Sequence, residues 1–189
     1  MSEWRDSERD EAACAEARAA SYFFTSTSAS MTNMTASAHL VLDFDGVLAP
    51  YGPDSDLRVS ADGQLLYSPR VVGGMNRLVR SSGSSVTWMT TREDDVHALS
   101  TSIGLDFAAP ALMLADGLDE IEIKIATLDA WLRSHTRSVV VWVDDAISRD
   151  DLPSTTLWSQ VSLLSPDSAG GLTEAQLVRI EMLLKGDDS

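Results

Sequence analysis

Two apolar runs, each closed by a pair of aspartates, constrain the fold of this chain more than any other feature. The first is Leu40, Val41 and Leu42, followed by Asp43, Phe44, Asp45 and Gly46. The second covers residues 138–143 (SVVVWV) and closes on Asp144 and Asp145. Unbroken apolar runs of this kind mark strands covered on both faces, as in a parallel sheet. Ligands of open α/β sheets collect just beyond the carboxyl ends of the strands. Side chains alternate along a strand, so Asp43 and Asp45 are expected to project the same way, with Phe44 turned to the other side. Two carboxylates held so close repel each other and invite a cation, and hard oxygen ligands suit Mg2+. Asp and Gly are also common turn residues, so the plainer reading of the first pair alone is a turn after a strand. A second buried run ending in adjacent carboxylates weighs against that plainer reading.

Between and around these runs the pattern alternates strands with helices. Residues 51–68 hold two short alternating runs about Asp62-Gly63, a β-hairpin placed over the two aspartates. Ser68-Pro69 is a helix start with Ser as N-cap and Pro at the first helical position. Val72, Met75, Leu78 and Val79 form the apolar stripe of that helix and Gly83 ends it. Residues 86–90 (VTWMT) are the next strand, closing on Thr90, Thr91 and Arg92. A hydroxyl there can bond a phosphate oxygen, or cap a helix over residues 93–102.

Residues 106–114 offer a further short strand. Residues 120–134 are a helix with Ile121, Ile125, Leu128 and Leu132 on one face, and Lys124 lies in its first turn. A cation is unfavourable at that end of a helix dipole, and the neighbouring Asp119, Glu120 and Glu122 make Lys124 read as a surface lysine. Residues 152–160 form a loop and short helix, residues 161–164 a short strand, and residues 172–184 a last helix with a capping box of Thr173 and Gln176. The whole predicts a three-layer α/β fold with a mostly parallel, five-stranded sheet.

The chain has 189 residues, enough for one domain with a single core. Its formal net charge of −15 argues against general binding to a nucleic-acid backbone and so favours a small molecule over a nucleic acid as partner. Cys14 is the only cysteine, which excludes an intrachain disulfide and a cysteine-based zinc site, and His39, His97 and His135 show no ligand spacing. No apolar run reaches the roughly 20 residues of a membrane span, and the acidic start is unlike a signal peptide, so a cytoplasmic protein is expected. Residues 1–38 read as a flexible extension, or as residues before a true start at Met31 or Met34; residues 7–20 are helix-prone but lack an apolar face, and residues 21–38 are Ser/Thr/Ala-rich. Residues 39–186 are then the folded domain.

Collected at the strand ends are Asp43, Asp45, Thr90, Asp144 and Asp145, with Lys124 at a helix start. A carboxylate can attack phosphorus, a second can move the proton, and a hydroxyl and an ammonium can cradle the equatorial oxygens. In this order the residues resemble the haloacid dehalogenase-like (HAD) superfamily over residues 40–184: DFDGVL from Asp43, Thr90 after an apolar strand, Lys124 at a helix start, and WVDD ending at Asp145. More narrowly, the chain resembles small actinobacterial HAD-domain proteins related to the HAD domain of Swiss Army Knife RNA repair proteins, through its PYGP, TWMTTRED, WVDD and GLT segments.

That resemblance implies a Rossmann-like HAD fold with a hairpin flap and no separate cap domain. It implies Asp43 as nucleophile, Asp45 as general acid/base, and Thr90 and Lys124 as holders of the phosphate and the nucleophile. It further implies Mg2+ held by the Asp43 carboxylate, the Asp45 backbone carbonyl and Asp144, with Asp145 assisting. Thr91 and Arg92 are candidates for substrate contact. The dehalogenases of the superfamily lack the second aspartate, so Asp45 implies phosphate rather than carbon–halogen chemistry. The order of residues speaks against a two-component receiver domain. A Mg2+-dependent phosphatase is expected, with a non-catalytic HAD-like scaffold and a nucleic-acid end-processing phosphatase as the alternatives.

Overall fold

A computed structural model describes residues 37–52, 56–92, 94–114 and 119–186. The expectations for the first 36 residues, including the helix over 7–20 and the start at Met31 or Met34, lie outside the described residues. Strands are β1 (Ser37–Leu42), β2 (Arg58–Val59), β3 (Leu66–Tyr67), β4 (Ser85–Trp88), β5 (Ser138–Val143) and β6 (Val161–Leu164). Helices are α1 (Pro69–Ser82), α2 (Val96–Ser102), α3 (Glu120–Ser134) and α4 (Glu174–Lys185), with 3-10 turns at Arg149–Asp151 and Thr156–Gln160. The main sheet has the order β4-β1-β5-β6, parallel throughout, and β2 and β3 form a separate antiparallel hairpin.

Three sequence expectations are corrected here. β1 begins at Ser37, two residues inside the span assigned to the extension, because Ser37 and Ala38 pair with Ser138 and Val139. Among the described residues the sheet has four strands, not five. The stretch at 106–114 adds only a parallel bridge between Trp88 and Ala111, since Pro110 lacks the N–H a strand needs there. α2 begins at Val96 with Asp95 before it, so Thr90 caps no helix.

Strand alternation builds two apolar layers. Leu40, Leu42 and Phe44 pack with Val72, Met75 and Leu78 of α1 and Leu177 and Ile180 of α4. Val41, Val140 and Trp142 pack with Leu128 and Leu132 of α3, and with Trp158. Leu40, Val41 and Leu42 are wholly buried, and each such side chain contributes about 1.5–3 kcal/mol. Trp131 lies at the edge of this layer: it is half-buried, stacked on His135 at 3.8 Å with His39 edge-on at 5.0 Å. Helix ends follow the sequence signals. The Ser68 side chain accepts from Val71 N, Gly83 closes α1 at φ 63°, and Thr173 and Gln176 form their capping box. No described helix is long and apolar enough to cross a membrane.

Candidate active site

β1 lies between β4 and β5, and Leu42 is level with both Trp88 and Val143. The next residues of the three strands therefore leave the sheet side by side. Asp43 N donates to Val143 O at 2.9 Å, Met89 N to Leu42 O at 3.0 Å, and Asp144 N to Leu164 O at 3.2 Å. Beyond Asp43 the chain turns at once: Leu48 N and Ala49 N both donate to Phe44 O, and Gly46 sits at φ 66°. Strand alternation ends with β1. Asp45 therefore does not join Asp43, contrary to the expectation from the D-x-D spacing. The carboxylates that gather are Asp43, Asp144 and Asp145, each offering one oxygen within 4.8 Å of the others.

Lys124 is the second correction at the site. Far from being a surface lysine, it is completely buried. Its Nζ lies 2.5 Å from Asp43 Oδ2, 2.9 Å from Glu120 Oε1 and 3.0 Å from Asp144 Oδ2. Burying an ammonium is costly unless it is paired, and here it meets three carboxylates. Glu120 is a site residue that the sequence reading treated as a neighbour only. Its spacing of four before Lys124 on a helix is the signal that points to it.

The charges shape one another. Burial raises Asp43 above the ordinary carboxylate range, while Lys124, the Phe44 N–H and the Thr90 hydroxyl act in the opposite direction. The Phe44 N–H donates to Asp43 Oδ1 at 2.6 Å. Burial and the charge of Asp43 push Asp144 up to about 7. Asp145 is raised too, chiefly by burial. Burial works against the charge on Lys124, yet Asp43 and Asp144 outweigh it and hold the ammonium above its ordinary value.

The donor set fits a hard divalent cation. Asp144 Oδ1 accepts from Ala146 N at 3.0 Å, whereas Asp144 Oδ2 is buried with no hydrogen-bond partner among the described residues. Lys124 Nζ stands 3.0 Å from that oxygen as an ion-pair contact, without the direction of a hydrogen bond. An acceptor left open beside two further carboxylates suits an oxygen-loving ion such as Mg2+. Asp145 packs directly on Gly46: a Cβ there would lie 2.1 Å from Asp145 Oδ2. Gly46 is therefore required twice, by its positive φ and by this close approach.

Thr90 is buried at the end of β4, and its Oγ1 accepts from Arg92 N at 3.4 Å. Thr91 is exposed and stands outside these contacts. Arg92 reaches across to Asp45, with Nε donating to Oδ2 at 2.7 Å and Nη2 to Oδ1 at 3.1 Å. The Asp45 hydrogen bond raises Arg92 above its ordinary value. Tyr51, also missed in the sequence, is an exposed aromatic whose phenol is raised by partial burial and by the charges of Asp45, Asp145 and Asp43. Its backbone is clamped: Tyr51 N donates to Ser168 O at 3.0 Å and Gly52 N to Ala169 O at 2.9 Å.

Residues 39–177 match the family described as the HAD domain in Swiss Army Knife RNA repair proteins. The chain belongs to that family. Solved structures similar to this HAD domain include a probable YrbI family phosphatase from Pseudomonas syringae, 16% identical, with a TM-score of 0.40 over 81% of this chain and 88% of the other. A putative HAD family hydrolase from Streptomyces avermitilis is 18% identical, with a TM-score of 0.38 over 84% and 96%. A hypothetical protein from Xanthomonas campestris is 13% identical, with a TM-score of 0.41 over 86% and 95%. No curated protein matches the chain.

Proposed function

We propose that residues 39–186 form a Mg2+-dependent phosphohydrolase that works through an aspartyl-phosphate on Asp43. The observation that carries this reading is the meeting of Asp43, Asp144 and Asp145 with a fully buried Lys124 at the carboxyl ends of the central strands. Asp43 and Asp144, with Asp145 and the Asp45 carbonyl, would hold the Mg2+. When bound, the ion neutralises charge on the transferring phosphoryl group.

An Asp43 oxygen forms a bond to phosphorus as the bond from phosphorus to the leaving oxygen breaks, and Asp45 gives that oxygen a proton. Water then attacks phosphorus, its proton passes to Asp45, and inorganic phosphate leaves with the Asp43 carboxylate restored. Lys124 holds Asp43 and offsets its charge, and the Thr90 hydroxyl steadies the same carboxylate. With only the β2–β3 hairpin described between the Asp43 loop and α1, we read the site as uncapped and the hairpin as its flap.

The net charge of −15 weighs against a nucleic-acid backbone, and so favours a small phosphorylated molecule over a phosphorylated nucleic acid as substrate. The RNA repair context in the family description supports a second reading, a phosphate at an RNA end. The test is Mg2+-dependent hydrolysis of p-nitrophenyl phosphate by wild type and by Asp43→Asn. Activity that disappears in the variant and with EDTA supports the reading, and a metabolite and 3′- or 5′-phosphorylated oligonucleotide panel then separates the two substrate classes. Full activity in Asp43→Asn overturns the nucleophile, and Mg2+ binding without turnover on any of these esters favours the scaffold.

A further inference from the structure

Both oxygens of Asp45 are taken by one guanidinium, through Nε at 2.7 Å and Nη2 at 3.1 Å. A side-on fork of this kind fixes the plane of a carboxylate as a single lysine contact does not. Arg92 is brought there by the turn after β4. Its backbone N–H donates to Thr90 Oγ1, so the residue presenting the guanidinium is tied to the Thr90 hydroxyl that steadies Asp43. Gly46 follows Asp45 directly, and among the described residues the Asp45 carboxylate is not one of the three that gather as Asp43, Asp144 and Asp145. Side-chain exposure is 42% for Arg92 and 19% for Asp45, so the pair lies at the rim with its outer edge open to solvent. Lys124, in contrast, is buried and saturated by three carboxylates.

We infer that Arg92 is a positioning residue that aims the Asp45 carboxyl at the leaving oxygen of a bound phosphoester. This inference rests on the phosphohydrolase reading above. The two contacts use two of the five guanidinium N–H groups, and the Arg92 side chain stays part-exposed. Arg92 thus acts on the reaction through Asp45, and its removal leaves Asp43, Lys124 and the metal-binding carboxylates untouched. The cost falls on the step that Asp45 serves. The water step is common to every ester, but in the first step an aryl phosphate with a good leaving group needs little protonation, whereas an alkyl phosphate depends on it.

The experiment measures kcat and KM for wild type, Arg92→Ala, Arg92→Lys, Asp45→Asn and the Arg92→Ala/Asp45→Asn double variant, on p-nitrophenyl phosphate and on an alkyl phosphate. Arg92→Ala is expected to lower kcat on the alkyl phosphate by on the order of 10- to 100-fold, and on the aryl phosphate by a smaller factor, the part due to the water step alone. Arg92→Lys recovers part of the loss. In the Asp45→Asn background the Arg92 change costs almost nothing more, because the two residues act as one unit. Multiplicative losses in the double variant, or an Arg92→Ala effect confined to KM on both esters, overturn the inference and make Arg92 a substrate contact only. Wild type inactive on both esters, with Mg2+ bound, overturns the phosphohydrolase reading and this inference with it. Wild-type activity with independent Arg92 and Asp45 effects overturns the inference alone.

Discussion

Gly46→Ala changes one methyl group and strikes the site in two separable ways. Gly46 sits at φ 66°, where an alanine is strained by about 1–2 kcal/mol. For a domain of this size that lowers Tm by roughly 2–8 °C. The second effect is local. The new Cβ would lie 2.1 Å from Asp145 Oδ2, 2.3 Å from its Cγ and 2.6 Å from Oδ1. All three carboxyl atoms must withdraw by roughly an ångström to reach ordinary contact. Mg2+ demands near-ideal octahedral geometry with short bonds, so the shift of Asp145 should weaken its binding on the order of 10- to 100-fold.

Gly83→Ala is the control. Its φ of 63° carries the same strain, and no atom lies within 4 Å of its added Cβ. Calorimetric titration with Mg2+ and melting curves with and without the ion should therefore separate the variants. Both lose stability, but only Gly46→Ala loses Mg2+ affinity. Equal Mg2+ affinity in the two would refute the reasoning, since it would mean that Asp145 either adjusts freely or plays no part in holding the ion.

Asp144, pushed up to about 7 from an ordinary 3.8, takes up a proton on folding between those values. The metal-free domain should lose stability as pH rises from about 4 to 7, and Mg2+, which must displace that proton, should raise Tm more at pH 8 than at pH 5. A Mg2+ effect independent of pH in melting curves contradicts this. Lys124→Met leaves Asp43 and Asp144 buried without their cation and should cost about 3–5 kcal/mol at pH 8 in urea titrations, and distinctly less at pH 5. Equal losses at the two pH values would show that the ammonium matters for packing, not charge. Trp142 Nε1 is buried without a hydrogen-bond partner among the described residues, whereas Trp158 Nε1 donates to Asp129 Oδ1 at 2.9 Å. Trp158→Phe should therefore lose about 1.5–3 kcal/mol for the charged hydrogen bond, and Trp142→Phe should lose less. The reverse order in chemical denaturation would contradict the assignment.

What was legible in the chain follows from the range over which its residues act. β5 was readable to the residue because an apolar, β-branched run admits few other states, and the acidic pair after it inherits its position from the strand that ends at it. The stretch at 106–114 misled for a related reason: its apolar residues look strand-like, but Pro110 limits the pairing to Ala111. Lys124 was misread because the expected stripe of α3 ran through Ile121, Ile125, Leu128 and Leu132. The fully covered line is Lys124, Leu128 and Leu132, at intervals of four, with Ile121 and Ile125 only half-buried at its edges. A lysine on the i, i+4, i+8 line of a buried helix face cannot remain there unpaired. That spacing pointed to an interior carboxylate partner, and the strand ends were the place to find one. The Arg92–Asp45 pair offered no such route. Its partners are 47 residues apart, and whether Arg92 turns toward Asp45 depends on the turn after β4 and on the loop that Gly46 opens after β1. Topology brings residues at strand ends to a common edge, but the loops beyond decide which of them touch. The gathering of acids at the strand ends could therefore be read from the sequence, whereas the pairing of Arg92 with Asp45 could not.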